Sequence, residues 1–108
     1  MGFVYLLLEV DKNGDETYKI GITKNDPKDR NSSLQTGNPD KIRVLQVYTS
    51  ENYKMVERWM HKKYYGAKTL AKNEWRNLTN EEVTSFLADC KSADEKISYL
   101  KENNPFFN

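Results

Sequence analysis

The fold of this sequence is decided by the stretch YKIGIT at residues 18–23. Its β-branched and aromatic residues predict a strand over residues 17–23. An earlier apolar run, FVYLLLE at residues 3–9, predicts a central strand. The dipeptide Asn13-Gly14 lies between the two runs and is a strong turn signal, so they should pair as an antiparallel hairpin. Each strand then carries one polar, proton-capable side chain, Tyr5 or Lys19, within an apolar run.

The length of the hairpin loop decides whether Tyr5 and Lys19 share a face of the sheet. A two-residue Asn-Gly loop would put them on opposite faces. A three-residue loop over residues 12–14, with Gly14 in the left-handed region, would pair Tyr5 with Gly21. Tyr5 and Lys19 would then share a face with Leu7, Gly21 and Thr23. Because a one-residue slip moves every side chain to the other face, the function inferred below requires the three-residue loop.

The rest of the chain supplies helices and a third strand. Capping and stop signals predict a helix over residues 26–36, a strand over 42–48, a helix over 51–65 capped by Ser50, a capping-box helix over 79–90 and another helix over 92–103. These elements predict an α+β fold, with a small three-stranded antiparallel sheet flanked by helices and extra C-terminal helices. We expect one domain over residues 1–90, with residues 91–108 forming a C-terminal helix and tail packed on it.

Composition narrows the class of protein. The chain has 108 residues, of which 37% are hydrophobic, so one modest core is expected. No apolar run exceeds the six residues 3–8, and no signal peptide is evident, so we expect no membrane span. Cys90 is the single cysteine, which indicates a reducing, cytoplasmic setting. One cysteine and one histidine also argue against a four-ligand zinc site.

Charge is unevenly distributed although the net charge is only +1. Residues 41–76 hold nine Lys or Arg against three Glu, and acidic residues are in excess in the rest of the chain. A basic middle between acidic flanks is expected when one face binds a polyanion. The alternative is an ordinary lysine-rich surface.

Five short motifs in order resemble the GIY-YIG nuclease superfamily, and within it the phage-associated T5orf172 branch. They are VYL at residues 4–6, YKIGIT at 18–23, Arg30 with Leu34 after it, ERWMH at 57–61 and EW at 74–75. The resemblance covers residues 3 to about 80. It departs from the family pattern at Lys19, which takes the place of the second tyrosine. Asn77 is a poorly aligned counterpart of an asparagine that many members carry.

The resemblance implies a phosphodiesterase that cuts nucleic acid with one divalent metal, Mg²⁺ or Mn²⁺. It assigns Tyr5 as the general base, Arg30 as the clamp on the phosphate and Glu57 as the metal ligand. The chemistry suits these residue types. A guanidinium neutralises a phosphorane with paired hydrogen bonds, and a carboxylate oxygen suits Mg²⁺. A free tyrosine ionises only near pH 10, and the ammonium of Lys19 would favour its ionised form.

Further candidates come from the helix predicted over residues 51–65. Glu57 and His61 are four residues apart, so they should stack on one edge of its apolar stripe. His61 would position water or phosphate, or only close the pocket. The candidate nucleic-acid-binding residues are Lys54, Arg58, Lys62, Lys63, Lys68 and Lys72. Each candidate also has an ordinary structural interpretation, as a core tyrosine, a surface ion pair or a solvated lysine.

The sequence therefore predicts a metal-dependent DNA endonuclease encoded by a phage or mobile element. DNA is the expected partner, and a homodimer is expected if both strands are cut, because one site cuts one strand. The alternative is a GIY-YIG-like module that binds nucleic acid or a host protein without cutting.

Overall fold

The computed structural model describes residues 1–25, 41–65 and 77–104. Its elements are β1 (Gly2–Val10), β2 (Glu16–Thr23), β3 (Lys41–Ser50), α1 (Tyr53–Tyr65) and α2 (Asn80–Asn103). The strands form one antiparallel sheet in the order β2-β1-β3. The predicted α+β fold is therefore confirmed. The helix predicted over residues 26–36 lies outside the described residues.

The hairpin between β1 and β2 has the three-residue loop. The Asp11 N–H donates to the carbonyl of Asp15 at 3.0 Å and closes the loop. Gly14 has a φ of 83°, in the left-handed region that glycine adopts without strain. The Asp11 carboxylate also accepts from the N–H of Asn13 at 2.8 Å, which stabilises the turn. Tyr5 consequently pairs with Gly21, and the predicted register is confirmed.

Strand β3 contains a β-bulge where it pairs with β1. Leu6 pairs with Gln46 while Leu7 pairs with Val44, so Leu45 is an extra residue on β3. An extra residue reverses the side-chain alternation on the two sides of the bulge. Val44 and Val47 therefore lie on the same face of the sheet, although their numbers differ in parity.

The hydrophobic core lies between one face of the sheet and the two helices. The sheet presents alternate residues to it, as a two-residue period requires. The buried cluster consists of Val4, Leu6, Leu8, Tyr18, Ile20, Tyr53, Val56, Met60, Phe86, Cys90 and Ile97. The opposite face carries Tyr5, Leu7 and Lys19, which are also buried. Helix α1 packs against both β1 and β2, and β2 is the strand that carries the motif YKIGIT.

Both helices differ from their predicted bounds. Helix α1 begins at Tyr53 rather than at residue 51. Strand β3 continues to Ser50, whose Oγ accepts from the N–H of Asn52 at 2.9 Å and so holds the turn before the helix. The hydroxyl that was expected to cap the helix therefore stabilises the turn that precedes it.

Helix α2 is one continuous helix of 24 residues, so the predicted break near residue 91 is wrong. No glycine or proline occurs between residues 80 and 103. The buried residues recur every three or four positions across the expected break, at Phe86, Cys90, Ala93 and Ile97. One unbroken apolar stripe favours one helix. The capping box at Thr79 and Glu82 is confirmed.

Two carboxylates fasten α2 to the rest of the domain. Tyr64 Oη donates to Asp89 Oδ2 at 2.7 Å, and Tyr48 Oη donates to Asp94 Oδ2 at 2.7 Å. Asn52 Nδ2 also donates to Asp94 Oδ1 at 2.8 Å. Burial works to raise the pKa of Asp94, but the hydrogen bonds that it accepts outweigh burial and hold the pKa below its ordinary value of 3.8. The ionised form of Asp94 is thus the one that stabilises the fold.

We predict that Gly14→Ala lowers the free energy of unfolding by about 1 kcal/mol, because alanine is strained at positive φ. Nothing lies within 4 Å of the position that a Cβ would take, so the cost is conformational rather than steric. Urea denaturation measures it. Asn13→Ala, in the same loop but without positive φ, is the matched control and should change stability less. Equal effects of the two substitutions would contradict the assignment of the strain to Gly14.

We also predict that Asp94→Asn destabilises the protein by about 2 kcal/mol at pH 7, where it weakens hydrogen bonds to a charged acceptor. Because the folded-state pKa is depressed, the contribution of Asp94 is complete above pH 3.8 and is lost as the pH falls through the folded-state pKa. The difference between wild type and variant should therefore shrink at pH 3. Urea unfolding at both pH values tests this, with the exposed Glu102→Gln as control. A difference that stays constant between pH 7 and pH 3 would refute it.

Candidate active site

Tyr5 lies directly over Gly21. A Cβ on Gly21 would stand 2.5 Å from the Tyr5 hydroxyl and 2.6 Å from its Cζ, closer than real side chains approach. Tyr5 is only 1% exposed, so its ring has little room to move away. The glycine of the motif YKIGIT is therefore what allows the Tyr5 phenol to cross β2.

Lys19 lies on the same face of the sheet as Tyr5. It pairs with Leu7, the second residue after Tyr5, so Lys19 and Tyr5 are diagonal neighbours on adjacent strands. Lys19 is only 7% exposed, so its side chain is buried rather than open to solvent. Leu7 and Tyr5 on this face are buried as well, whereas Val47, which pairs with Tyr5, is 38% exposed, so the face is only partly covered.

Glu57 and His61 approach β2 from α1. His61 Nε2 lies 3.2 Å from the carbonyl oxygen of Ile20 and 3.8 Å from Glu57 Oε2. Both neighbours are acceptors, so Nε2 carries the hydrogen and donates to Ile20. The predicted stacking of the pair on one edge of the helix is confirmed. Since Ile20 lies between Lys19 and Gly21, the pair approaches the strand segment that Tyr5 crosses.

Tyr5 and Lys19 thus lie on one face of the sheet at the segment 19–21 of β2, and His61, with Glu57 beside it, contacts the carbonyl of Ile20 in the same segment. In the described part of the chain the buried polar side chains are Lys19, Ser50, Glu57 and His61. Ser50 has an evident structural role in the turn before α1. Burying charged or polar groups costs free energy, so their concentration at one place marks a candidate functional site.

The carboxylate of Glu57 is the metal ligand that the sequence predicts. Among the described residues, no three His, Cys, Asp or Glu side chains are grouped so as to hold a metal ion. A single carboxylate still fits Mg²⁺, which commonly keeps several waters and binds one or two carboxylates together with substrate phosphates. It would not fit zinc, which needs a fuller set of protein ligands.

Three of the predicted nucleic-acid-binding residues form a basic stripe on α1, consisting of Lys54, Arg58 and Lys62. They recur every four residues and all are exposed. Lys54 is three residues from Glu57, and Arg58 is three residues from His61, so the basic stripe borders the buried pair. The Lys54 ammonium also lies 6.0 Å from the centre of the Tyr53 ring.

The remaining predicted residues are distributed differently. Lys63 Nζ lies 3.3 Å from Asp89 Oδ1 on α2, away from the Glu57 edge, although its side chain stays largely exposed. Asn77 is exposed. The other predicted residues, Arg30, Lys68, Lys72 and Trp75, lie outside the described residues.

Comparison with known proteins identifies the family. The sequence matches the T5orf172 domain over residues 2–91. The chain belongs to the T5orf172 domain family. This family is grouped with the GIY-YIG and HNH-like endonucleases and is associated with nuclease-like and phage-type proteins. No curated protein and no solved structure matches the chain.

The T5orf172 match covers the sheet, α1 and the first half of α2, and therefore all four grouped residues. Neither described helix of this T5orf172 protein is long and apolar enough to cross a membrane. Sequence reasoning missed the role of Gly21 as the surface on which Tyr5 rests. The signal was available, because the predicted register already placed a glycine opposite Tyr5.

We predict that Gly21→Ala destabilises the domain by about 1–3 kcal/mol, because the added methyl collides with the buried Tyr5 ring. In a Tyr5→Leu background the same substitution should cost less, because leucine does not reach across Gly21. Urea unfolding of the four proteins in this double-mutant cycle gives the coupling free energy. A coupling near zero would contradict the packing of Tyr5 on Gly21.

Proposed function

We propose that this T5orf172 domain is a metal-dependent endonuclease that hydrolyses DNA phosphodiester bonds by the single-metal mechanism of GIY-YIG nucleases. One observation carries the proposal. Lys19 belongs to the β2 segment 19–21, Tyr5 lies over Gly21 of that segment, and His61, with Glu57 beside it, contacts the Ile20 carbonyl; Lys19, Glu57 and His61 are among the few buried polar side chains in the described ranges. A core that serves only to stabilise the fold is not expected to concentrate buried polar side chains in this way.

In the proposed reaction Tyr5 acts as the general base. In the ionised form of Tyr5, the phenolate oxygen takes a proton from the attacking water, whose oxygen bonds to phosphorus while the ester oxygen leaves with the bonding electrons. Lys19 on the same face supplies positive charge, which stabilises the negative charge that develops there. Arg30, which lies outside the described residues, is proposed as the phosphate clamp on the strength of the family motif.

Glu57 would hold the Mg²⁺ or Mn²⁺ ion. The bound ion would supply positive charge that neutralises the phosphate in the transition state. His61 positions Glu57, since its Nε2 lies between the Glu57 carboxylate and the Ile20 carbonyl. Glu57 is 4% exposed, so its carboxylate is held by its surroundings rather than left free to rotate.

The basic stripe provides the proposed DNA contact. Lys54, Arg58 and Lys62 follow the edge of α1 beside Glu57 and His61, so a phosphate backbone lying along them would pass the candidate site. Positive side chains at this spacing attract phosphates without reading sequence. If both strands are cut, two copies of the chain would be needed, and we propose a homodimer for that case.

The setting of this activity is also part of the proposal. We propose a phage or mobile-element origin, supported by the association of the family with phage-type proteins, and a cytoplasmic location. Burial raises the pKa of the Cys90 thiol to about 12, and the nearby carboxylates of Asp89 and Asp94 add to the shift. A buried thiol of this kind is chemically inert and fits a reducing compartment.

A second candidate function is favoured by the burial of the site. Tyr5 and Lys19 are 1% and 7% exposed, and Glu57 and His61 are 4% and 8% exposed. The basic stripe is exposed in contrast. A protein that binds nucleic acid, or a host protein, through α1 without cutting would show this combination.

We predict that purified protein nicks supercoiled plasmid with Mg²⁺ or Mn²⁺, and that Tyr5→Phe and Glu57→Gln reduce the rate at least about 100-fold. Glu51→Gln, an exposed carboxylate just before the same helix, is the matched control and should cut normally. Circular dichroism confirms that each variant is folded.

Arg58→Ala should weaken DNA binding and reduce its salt dependence by about one unit, whereas Lys12→Ala in the hairpin loop should not.

Equal cutting by the Tyr5 and Glu57 variants would point to a contaminating nuclease and would falsify the proposal. Absence of cleavage by folded wild type, together with a gel shift that survives EDTA, would establish the second candidate instead. Absence of both cleavage and gel shift would direct attention to a host protein, which a pull-down would identify.

A further inference from the structure

A groove lies between α1 and the second half of α2, on the side of α1 away from Glu57 and His61. Trp59, half-buried, lines it from α1. The groove has a volume of about 380 Å³ and is lined by Trp59, Glu95, Lys96, Tyr99 and Leu100. Trp59 also lines a neighbouring depression together with Lys62 and Lys63. One tryptophan therefore lines two surface hollows.

The groove combines aromatic surface with positive charge. Tyr99 is 65% exposed, although exposing a large aromatic side chain to water is unfavourable. Lys96 and the acidic Glu95 line the groove with Trp59, and Lys62 lines the neighbouring depression with it, beside Lys63, whose ammonium is paired with Asp89. An aromatic floor with ammonium groups at its rim matches a ligand that has flat rings and negative charge.

The groove is continuous with the basic stripe. Lys62 follows Arg58 by four residues and Trp59 by three, so it is a neighbour of both on the helix surface. A polyanion that lies along Lys54, Arg58 and Lys62 would therefore reach Trp59 without leaving positive surface. The groove residues on α2 lie beyond residue 91, where the T5orf172 match ends, so the groove adds to the family domain.

We propose that this groove binds an unpaired base of single-stranded nucleic acid, stacked on Trp59 and flanked by Tyr99, with adjacent phosphates held by Lys62 and Lys96. Stacking on aromatic rings beside positive charge is how proteins hold single strands without reading sequence. An apolar peptide would not use the exposed ammonium groups of Lys62 and Lys96 beside Trp59. The inference rests on the proposed function only in sharing its class of ligand, and it requires no cleavage.

Fluorescence of the full chain tests the inference. Glu57→Gln protein in EDTA is titrated with an oligothymidylate of roughly 12 nucleotides, so that binding is seen without cutting. The chain has two tryptophans, and subtracting the emission of a Trp59→Leu variant isolates the signal of Trp59. We expect saturable quenching of Trp59. Heparin, a polyanion without bases, should bind the lysines but quench Trp59 much less.

Substitutions at exposed residues test the inference even if the Trp59→Leu variant folds poorly. Tyr99→Ser should weaken oligonucleotide binding roughly tenfold, and Lys96→Ala should weaken it less. Leu87→Ser, at an apolar residue of α2 that is 41% exposed and does not line the groove, is the matched control and should bind normally. Equal effects of Tyr99→Ser and Leu87→Ser would overturn the inference.

The remaining outcomes separate the inference from the proposed endonuclease. Plasmid cleavage by wild type without Trp59 quenching would overturn the inference that the groove binds a base, and would still support the proposed endonuclease activity. Trp59 quenching in a protein that cuts no plasmid would support base binding in the groove and would contradict the proposed endonuclease activity. Quenching by heparin equal to that by the oligonucleotide would overturn base stacking. A change of Trp59 emission with protein concentration alone would show that a second copy of the chain occupies the groove, and would also overturn the inference.

Discussion

The backbone of Gly14 is the constraint on which the structure depends. Its positive φ closes a loop of three residues, and that loop length fixes the pairing of β1 with β2. The pairing puts Tyr5 opposite the residue that has no side chain to block it, and puts Lys19 on the same face. With one residue fewer in the loop, Tyr5 would exchange faces relative to β2. A local turn thus determines which chemical groups can meet across the hairpin.

The second physical theme is the concentration of buried polarity beside that hairpin. Each of Lys19, Glu57 and His61 loses hydration on folding, a cost that only partners inside the protein can offset. His61 offsets part of this cost, since its Nε2–H lies near both the backbone carbonyl of Ile20 and the carboxylate of Glu57. Helix α1 thus has a buried polar edge and, next to it, an exposed basic stripe. This adjacency of a sheltered site and a charged surface supports the nuclease proposal.

Local signals in the sequence predicted the parts of the structure that depend on local physics. The hairpin register, the capping box at Thr79 and the Glu57–His61 pair each follow from spacing or from a turn residue. The bulge at Leu45 could not be predicted, because it depends on how β3 meets β1 across the sheet. The same holds for the burial of Lys19. The continuity of α2 could have been predicted from the sequence, since its apolar stripe crosses residue 91 without interruption.

The hydrogen bonds of Asp94 bear on where the cooperative folding unit ends. The family match stops at residue 91, yet Asp94 accepts from Tyr48 at the end of β3 and from Asn52 just before α1. Ile97, one turn further along α2, is fully buried in the core cluster. A fragment cut at the family boundary would leave Tyr48 and Asn52 without this acceptor and would open the core. Sequence homology and thermodynamic autonomy therefore define different boundaries here, and the autonomous unit extends at least one turn beyond Asp94.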